Sequence, residues 1–309
     1  MSRIANYVKK YFFHPIKLFW AVIIVVINSK FGRLLSDKAY IKIAYRANLG
    51  KKIDLKNPKG FNEKIQWLKL NDRKPIYTTM VDKYEAKKYV SKLIGEEYII
   101  ENYGVWESFS DIDFEKLPEQ FVLKCTHDSG GLVICRDKSK LDIEKAEKKI
   151  NSCLKNNYFY SGREWPYKDV KPRIIAEKYM VDESGDGLRD YKFFCFDGEP
   201  KFLYISEGLE NHLTARISFL NIDWSFESFS RSDYKQFEVL PQKPEKYDEM
   251  LEICRKLTKG TSFLRCDLYE ADGKVYFSEL TFSPCSGLTP FNPMSADDEL
   301  GKYIKLPTV

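Results

Sequence analysis

The chain has 309 residues, of which 43% are hydrophobic and 31% are charged, as in an ordinary folded protein. This composition excludes a low-complexity or disordered chain and supplies enough apolar residues for a sizeable core. The seven cysteines are odd in number and form no Cys-x-x-Cys pair, and there are only three histidines. A disulfide framework, a zinc site and a histidine-based triad are therefore not expected, and the cysteines indicate a reducing, cytoplasmic compartment.

Residues 1–60 are strongly basic. They contain 13 Lys and Arg against 2 Asp and Glu, a net charge of +11, whereas the whole chain carries +5. Residues 18–27 within this segment are all apolar, about half the length that crosses a bilayer. Two interpretations remain open. Residues 1–35 lie on the inner face of the membrane with basic residues at anionic headgroups, or the apolar run packs on the rest of the protein.

Residues 61–117 are predicted to be mainly helical. Asn62 is positioned to cap a first helix, and a second helix is expected over residues 83–93. Residues 95–104 then have the pattern of a strand and a turn.

Residues 118–179 are predicted to form a smaller lobe. An apolar strand runs into Lys124, and a polar, glycine-containing loop connects it to a second apolar strand. Glycines allow backbone N–H groups to approach phosphate oxygens, and a lysine adds a point charge. A charged helix is expected over residues 142–154, with a further strand after it. The loop residues expected nearest a phosphate are Ser129, Gly130 and Gly131.

Residues 180–309 are predicted to form a larger lobe with two hairpins. The first turns at Asp197-Gly198 and the second at Asp272-Gly273, and a helix is expected between them over residues 247–257. Each strand of the second hairpin carries one carboxylate, Asp267 and Glu279. Hard oxygen donors of this kind, with Arg265 beside them, suit Mg²⁺ that carries nucleotide phosphates.

Together these segments resemble the ATP-grasp superfamily. More closely, they resemble the TupA-like ATP-grasp proteins of bacterial surface-polysaccharide biosynthesis, which includes the synthesis of teichuronopeptide and capsule. Their shared order and spacing carries the resemblance, because no single segment is specific. The segments are NPKGFNEKIQWL (57–68), DKY (82–84), LPEQFVLK (117–124), IAEKY (175–179), DYKFFCFDG (190–198), RCDLY (265–269) and ELTF (279–282).

The resemblance implies an α+β ATP-grasp fold, in which two α/β lobes grip ATP between antiparallel sheets behind an N-terminal extension. ATP and Mg²⁺ are the implied cofactors. Phosphate binding is implied for Lys83, Lys124 and residues 129–131, and adenine binding for Glu177, Lys178, Tyr179 and Met180. Of the implied catalytic residues, Arg265 and Lys124 would stabilise charge on the transferring phosphoryl group, and Lys192 would make a further phosphate or carboxylate contact. Mg²⁺ binding is implied for Asp267, Glu279 and Thr281.

One position departs from the superfamily pattern. That pattern ends in Glu-x-Asn, whereas this chain has Glu279-Leu-Thr281. A hydroxyl is a poorer metal ligand than an amide carbonyl, so the role of Thr281 in metal binding stays open.

The activity implied by the resemblance is that of an ATP-dependent carboxylate–amine ligase. A carboxylate of a uronic acid or amino acid would be converted to an acyl phosphate, and an amine would then displace phosphate to form an amide. A small-molecule or lipid-linked glycan is the implied substrate, and no nucleic acid is expected, since the basic residues form no recognisable nucleic-acid module.

Three other classes remain open. A glycan kinase would use the same phosphate-binding residues, with Asp190 or Asp128 as the base. A metal-dependent glycosyltransferase would need an Asp-x-Asp pair, and the match at Asp111-Ile-Asp113 is interpreted as a loop or helix cap. A sugar-binding module would explain the 15% aromatic residues but not the lysines and carboxylates.

Overall fold

The structure is a computed structural model that describes residues 15–181, 188–208 and 215–308. The chain divides into two compact units. The first comprises the described parts of Met1–Arg73, Phe159–Trp165 and Ser283–Val309, and the second those of Lys74–Tyr158 and Pro166–Phe282. Residues 1–14 of the predicted membrane segment lie outside the described residues.

Five α-helices begin the described part of the chain, and runs of strands with three further α-helices follow. The helices are α1 (Pro15–Ile27), α2 (Asp37–Leu49), α3 (Phe61–Asn71), α4 (Ile76–Val81), α5 (Glu85–Ile94), α6 (Ile143–Leu154), α7 (Tyr247–Thr258) and α8 (Ala296–Gly301). The strands are β1 (Asn102–Trp106), β2 (Phe121–Cys125), β3 (Leu132–Cys135), β4 (Ile174–Lys178), β5 (Asp190–Phe196), β6 (Glu199–Glu207), β7 (Arg216–Asn221), β8 (Phe263–Ala271) and β9 (Lys274–Thr281). The predicted α+β class is confirmed. Over the described ranges, no helix is long and apolar enough to cross a bilayer.

The first unit is mainly helical, and α1 packs on α2. The residues in this contact are Ile23, Ile24 and Ile27 of α1 and Tyr40, Ile41 and Ala44 of α2. The phenol of Tyr40 also donates a hydrogen bond of 2.7 Å to Oδ1 of Asn28, just after α1. Ser36 caps α2 by accepting a hydrogen bond from the N–H of Ala39. The apolar run of the sequence is therefore a helix held along one side by its neighbour.

The expectation that Asn62 caps α3 is wrong. Gly60 occupies the cap position and has no side chain to accept a hydrogen bond. The backbone N–H of Asn62 instead donates to Oδ1 of Asp297, at 2.9 Å. A first-turn N–H group needs an acceptor but not a local one, and here a carboxylate remote in sequence supplies it.

The second unit contains both sheets. The smaller sheet has the strand order β1-β4-β2-β3, and each of its neighbouring pairs is antiparallel. Leu123 and Cys125 of β2 pack into a core with Ala146 and Ile150 of α6. Because successive strand residues face opposite sides, Lys124 projects from the other face of this sheet.

The larger sheet has the order β7-β6-β5-β8-β9, with antiparallel neighbours throughout. Helix α7 packs on β5, β6 and β8, and the thiol of Cys254 in α7 lies beside those of Cys195 and Cys266. The face of β8 that carries Cys266 is therefore apolar and covered. The alternate residues Arg265 and Asp267 face away from α7.

Candidate active site

A β-bulge places the two carboxylates of the second hairpin on one face. The Asp272-Gly273 turn, with φ of 52° and 69°, fixes the pairing of Leu268 with Phe277. Regular pairing from there would put Glu279 opposite Cys266, on the covered face. The strand instead takes up one extra residue, and Glu279 pairs with Asp267. Residues paired directly across two strands share a face, so both carboxylates lie together.

Asp267 is the centre of a buried ionic cluster. Arg265 donates to both of its oxygens, at 2.7 Å from Nε to Oδ1 and 2.7 Å from Nη2 to Oδ2. Nζ of Lys192, on the neighbouring strand β5, lies 2.9 Å from Oδ2. Arg265 Nη2 also donates to the hydroxyl of Thr281, at 2.9 Å. Three of the residues assigned to phosphoryl transfer and metal binding are thus held in one network with Thr281.

The cluster is ionised because its charges compensate one another. Burial acts to raise the pKa of Asp267, but Arg265 and Lys192 outweigh it and hold that pKa below its usual value. Burial likewise acts to lower the pKa of Lys192 and of Arg265, and the carboxylates beside them raise both well above the usual range. The side chain of Asp267 is fully buried, so these partners replace water as its solvation.

Glu279 is the more accessible carboxylate of the pair. Its side chain is 28% exposed, and its Oε1 lies 3.7 Å from Nζ of Lys83. The ammonium of Lys83 also donates to the backbone carbonyl of Asp128, in the glycine loop. Lys83 therefore lies between the predicted phosphate loop of the smaller sheet and the carboxylate hairpin of the larger one.

The position of Lys83 is fixed by the residue before it. Oδ1 of Asp82 accepts a hydrogen bond of 2.9 Å from the N–H of Tyr84, at the start of α5. Oδ2 accepts a bond of 2.7 Å from Nη2 of Arg173. Asp82 is buried, so its two partners anchor the backbone that presents Lys83.

Lys124 is held by a buried glutamate of the neighbouring strand. Its Nζ lies 2.5 Å from Oε2 of Glu177, and Nζ of Lys87 lies 3.0 Å from Oε1 of the same carboxylate. Lys87 also donates to the carbonyl of Ile100, at 2.6 Å. Glu177 therefore holds two lysines at once, with its carboxylate directed into the protein.

The charges of this second cluster also compensate one another. Burial acts to raise the pKa of Glu177, but Lys124 and Lys87 lower it to about 2. Burial acts to lower the pKa of Lys124, whereas Glu177 raises it above its usual value, with further contributions from Tyr269 and Glu279. For Lys87 burial prevails, and the pKa is lowered although Glu177 opposes the change.

The predicted phosphate loop of residues 129–131 and the predicted adenine-binding segment of residues 177–180, called the hinge, flank this cluster. Ser129 and Gly130 are exposed, and the buried N–H of Gly131 donates to Oδ1 of Asp128, at 2.9 Å. At the hinge, Lys178 is exposed and its N–H donates to the carbonyl of Glu101, at 3.0 Å. The hydroxyl of Tyr179 accepts a bond of 2.9 Å from Nε of Arg136, and Met180 is half-buried.

The donor set fits Mg²⁺ held jointly by protein and phosphates. In the part of the chain that the structure describes, no group of three or more His, Cys, Asp or Glu side chains could hold a metal ion. In proteins, Mg²⁺ is usually held by one or two carboxylates, with phosphates and water as its other ligands. Asp267 and Glu279 can supply the two carboxylates. Oδ2 of Asp267 accepts bonds from both Arg265 and Lys192, whereas Oδ1 accepts only the bond from Arg265, so Oδ1 keeps a lone pair for a metal ion.

Comparison with known families decides the class of this protein. A family model described as TupA-like ATPgrasp matches residues 63–305, which is most of the chain. The chain belongs to the TupA-like ATP-grasp family. The resemblance stated from the sequence and the ATP-grasp ligase class are thereby confirmed.

Solved structures of ATP-grasp proteins are similar to this family member at low identity. The D-alanine–D-alanine ligase from Helicobacter pylori has 17% identity and a TM-score of 0.45, covering 80% of this chain and 69% of that chain. The ATP complex of the Bacillus anthracis enzyme has 16% identity and a TM-score of 0.40, covering 79% and 64%. A RimK domain protein ATP-grasp from Sphaerobacter thermophilus has 10% identity and a TM-score of 0.40, covering 74% and 69%. The chain spans about two thirds of the length of these proteins, and the assignment rests on the family model. No curated protein matches the sequence.

Two residues of the TupA-like site were missed from the sequence. Lys87 was unassigned, although it binds the carboxylate of Glu177. Arg173 was unassigned, although it binds Asp82 beside Lys83. The available signal was Glu177 itself: an acidic residue in an otherwise apolar strand must find cationic partners, since a buried charge is costly when unpaired.

We expect Glu177→Gln to make the free energy of unfolding less dependent on pH in the acid range. The folded-state pKa of Glu177 is about 2, below the ordinary 4.5, so its ionised form stabilises the folded chain. This contribution, on the order of 3 kcal/mol, is present above about pH 4.5 and lost as the pH falls towards 2. Urea unfolding at pH 7, 5 and 3 should show the largest gap between wild type and variant at pH 7. A gap that stays constant across this range would contradict the assignment.

Gly131→Ala is expected to destabilise the glycine loop of residues 129–131, whereas Gly130→Ala is not. A Cβ at position 131 would lie 2.5 Å from Sγ and 2.6 Å from Cβ of the buried Cys125, whereas one at position 130 meets nothing within 4 Å. Overpacking of this kind costs about 1–3 kcal/mol. Denaturant unfolding of the two variants measures the difference, and equal midpoints would show that the loop does not pack on β2 in this way.

Proposed function

We propose that this protein is an ATP-dependent carboxylate–amine ligase of bacterial surface-polysaccharide biosynthesis, such as capsule or teichuronopeptide synthesis. The carboxylate would belong to a uronic acid or an amino acid, and the amine to an amino acid or amino sugar. The acceptor would be a small molecule or a lipid-linked glycan. A cytoplasmic location is proposed with it, because all seven cysteines are free thiols.

The observation that carries the proposal is the convergence of cations on one carboxylate pair. Lys83 approaches Glu279, while Arg265 and Lys192 bind Asp267. Lys124 adds a further positive charge within the electrostatic reach of Glu279. Phosphoryl transfer needs little covalent chemistry from a protein, and it is accelerated mainly by fixed positive charge around the phosphoryl oxygens.

The reaction would proceed in two displacements. A carboxylate oxygen of the substrate attacks the γ-phosphorus of ATP, and the bond from that phosphorus to the bridging oxygen breaks, giving an acyl phosphate and ADP. The amine then attacks the acyl carbon, the bond to the phosphate oxygen breaks, and the amine loses a proton. An amide and inorganic phosphate leave.

The protein groups would bind and orient rather than react covalently. Lys83 and Lys124 would hold phosphate oxygens, and Arg265 would stabilise charge on the transferring group. Mg²⁺, held by Asp267 and Glu279, would neutralise phosphate charge and orient the nucleotide. Adenine would lie against the hinge at residues 177–180, where Glu177 contributes through its backbone because its side chain is occupied by the two lysines.

The geometry of the Asp111-Ile-Asp113 pattern does not favour the glycosyltransferase alternative. Asp113 accepts a hydrogen bond of 3.1 Å from the N–H of Glu115 and forms an ion pair of 3.0 Å with Lys116. It caps a short 3₁₀ turn, as the sequence interpretation held. For the kinase alternative, Oδ1 of Asp190 lies 3.2 Å from Nζ of Lys192, so the candidate base is already paired with a cation.

The deciding experiment measures ADP and inorganic phosphate together. The purified chain is incubated with Mg²⁺-ATP and a panel of uronic acids, amino acids and amino sugars. Equal amounts of ADP and phosphate that require both a carboxylate and an amine would support the ligase. ADP without matching phosphate would support a kinase, and a folded chain that fails to bind ATP would overturn the proposal.

A further inference from the structure

Helix α1 is apolar on all sides but only partly covered. Its sequence from Leu18 to Ile27 contains no polar residue, yet Ile27 is the one fully buried residue of the helix. A helix that is hydrophobic all round normally lies in a protein core or in lipid. Within the described first unit, most side chains of α1 are half-buried, and Ile16, Phe19 and Val26 are its large apolar residues that stay exposed.

The uncovered side of α1 forms a continuous strip. Ile16 is 75% exposed, Phe19 is 56% exposed and Val26 is 47% exposed. Spacings of three and seven residues place these side chains on one side of a helix. The 3₁₀ turn Phe31–Leu34 follows directly and adds Phe31 at 77% and Leu34 at 87% exposure. These five residues are called the docking face.

The charge around the docking face has one sign. The first acidic residue of the whole chain is Asp37, whereas six Lys and Arg precede it. Lys17 and Lys30, within and just after α1, are exposed. Asp37 itself is bound by Arg73, at 2.8 Å, so it does not offset them.

Further basic groups border the helix. The guanidinium of Arg46, in α2, lies 5.5 Å from the ring centre of Trp20 in α1. Arg33 stacks over Tyr160 at 4.7 Å. An occupant of the docking face must therefore supply both an apolar interior and negative charge.

We propose that the docking face inserts into the surface of a bilayer that contains anionic lipids. Large apolar side chains enter the boundary between headgroups and acyl chains, and flanking lysines and arginines bind anionic headgroups. A second copy of this chain would bring the same positive charge to the contact and is disfavoured by repulsion. Membrane docking would hold the protein where lipid-linked acceptors occur, but the inference rests on α1 and its charge alone.

Vesicle co-sedimentation of the full chain tests the docking face. The vesicles consist of phosphatidylcholine alone or with about one third phosphatidylglycerol, and no nucleotide is present. We expect binding to the anionic vesicles that weakens as salt is raised, since screening acts on exposed charges. Phe31→Glu with Leu34→Glu should reduce the partition coefficient at least tenfold. Lys17→Gln and Lys30→Gln should each reduce it about fivefold on anionic vesicles.

The matched control is Val239→Glu, at an apolar residue of the second unit that is 78% exposed. It makes the same change of chemistry and should leave vesicle binding unaltered. Thermal unfolding should be unchanged in all these variants, because the substituted side chains are exposed. The readout is independent of ATP, so failure here and failure of the ligase proposal are distinguishable.

Three results would overturn the inference. They are absence of vesicle binding by the wild-type chain, equal binding to neutral and anionic vesicles, and unchanged binding after the double substitution at Phe31 and Leu34. Sedimentation of the chain in lipid-free solution tests the alternative occupant, a second copy of the chain. A dimer that the double substitution disrupts, without vesicle binding, would assign the face to a second copy of the chain.

Discussion

Lys124→Met is expected to lower kcat/KM for ATP at least about 10²-fold, the usual effect of removing one fixed positive group from a charged transition state. Lys124 projects from β2 on the face opposite the core, beside the glycine loop and within the field of Glu279. Methionine keeps most of the side-chain volume and removes only the charge. Steady-state release of ADP is the measurement.

The same substitution should leave the chain folded. Glu177 keeps its contact with Lys87, at 3.0 Å, so its buried carboxylate does not become an unpaired charge. Circular dichroism and thermal unfolding check this point. The control is Lys116→Met, which changes a lysine that is 84% exposed and should alter neither turnover nor melting temperature.

Lys87→Met distinguishes two roles of Lys124, namely binding phosphate and orienting Glu177. Both lysines bind Glu177, but Lys87 also donates to the carbonyl of Ile100 and lies on α5 within the buried cluster. Its loss should reduce stability more than turnover. If the two variants lost turnover equally, Lys124 would act only by orienting Glu177, and its assignment to phosphate would be contradicted.

The hairpins were predictable because their signals are local. Asp197-Gly198 and Asp272-Gly273 each supply two residues with positive φ, which a two-residue turn between right-twisted strands requires. The flanking apolar residues alternate, so each turn fixes the pairing of the strand residues next to it. The helix predicted over residues 142–154 was equally local, and Asp142 caps it.

The bulge in β9 corresponds to a change in the spacing of apolar residues in the sequence, which the prediction from the sequence did not include. Val275 and Phe277 follow the two-residue period of the covered face, but the next buried apolar residue is Leu280, three positions on. This change of phase means that one residue, here Ser278, is taken up without advancing the pairing. Asp267 and Glu279 share a face of the sheet only because this extra residue is taken up.

The ionic partners were not predictable in the same way. The sequence shows that Glu177 lies in an apolar strand, but not that Lys87, ninety residues earlier, reaches it. Likewise Asp297 replaces the expected local cap of α3 from the far end of the chain. Such pairs depend on tertiary packing, and any of several lysines or carboxylates of the chain satisfies the chemistry equally well.

At the proposed metal site, Asp267→Asn is expected to reduce both stability and turnover, whereas Glu279→Gln is expected to reduce only Mg²⁺-dependent turnover. Asp267 is fully buried, and its two oxygens accept bonds from Arg265 and Lys192. An asparagine presents an N–H₂ group to one of these cations and removes the carboxylate charge that compensates Arg265, while Lys192 keeps only Asp190, at 3.2 Å. Breaking a buried ion pair costs about 3–5 kcal/mol. We therefore expect a melting temperature lower by about 6–12 °C, measured by calorimetry, together with loss of turnover.

Glu279→Gln is the matched substitution on the paired strand. Its carboxylate is partly exposed and lies 3.7 Å from Lys83, a distance at which solvent screens much of the attraction. The melting temperature should change little, whereas the Mg²⁺ concentration for half-maximal ADP release should rise at least tenfold. A Mg²⁺ requirement unchanged in Glu279→Gln would exclude this carboxylate as a ligand. An unaltered melting temperature in Asp267→Asn would show that Arg265 and Lys192 do not depend on Asp267, so the buried cluster would not be the scaffold of the site.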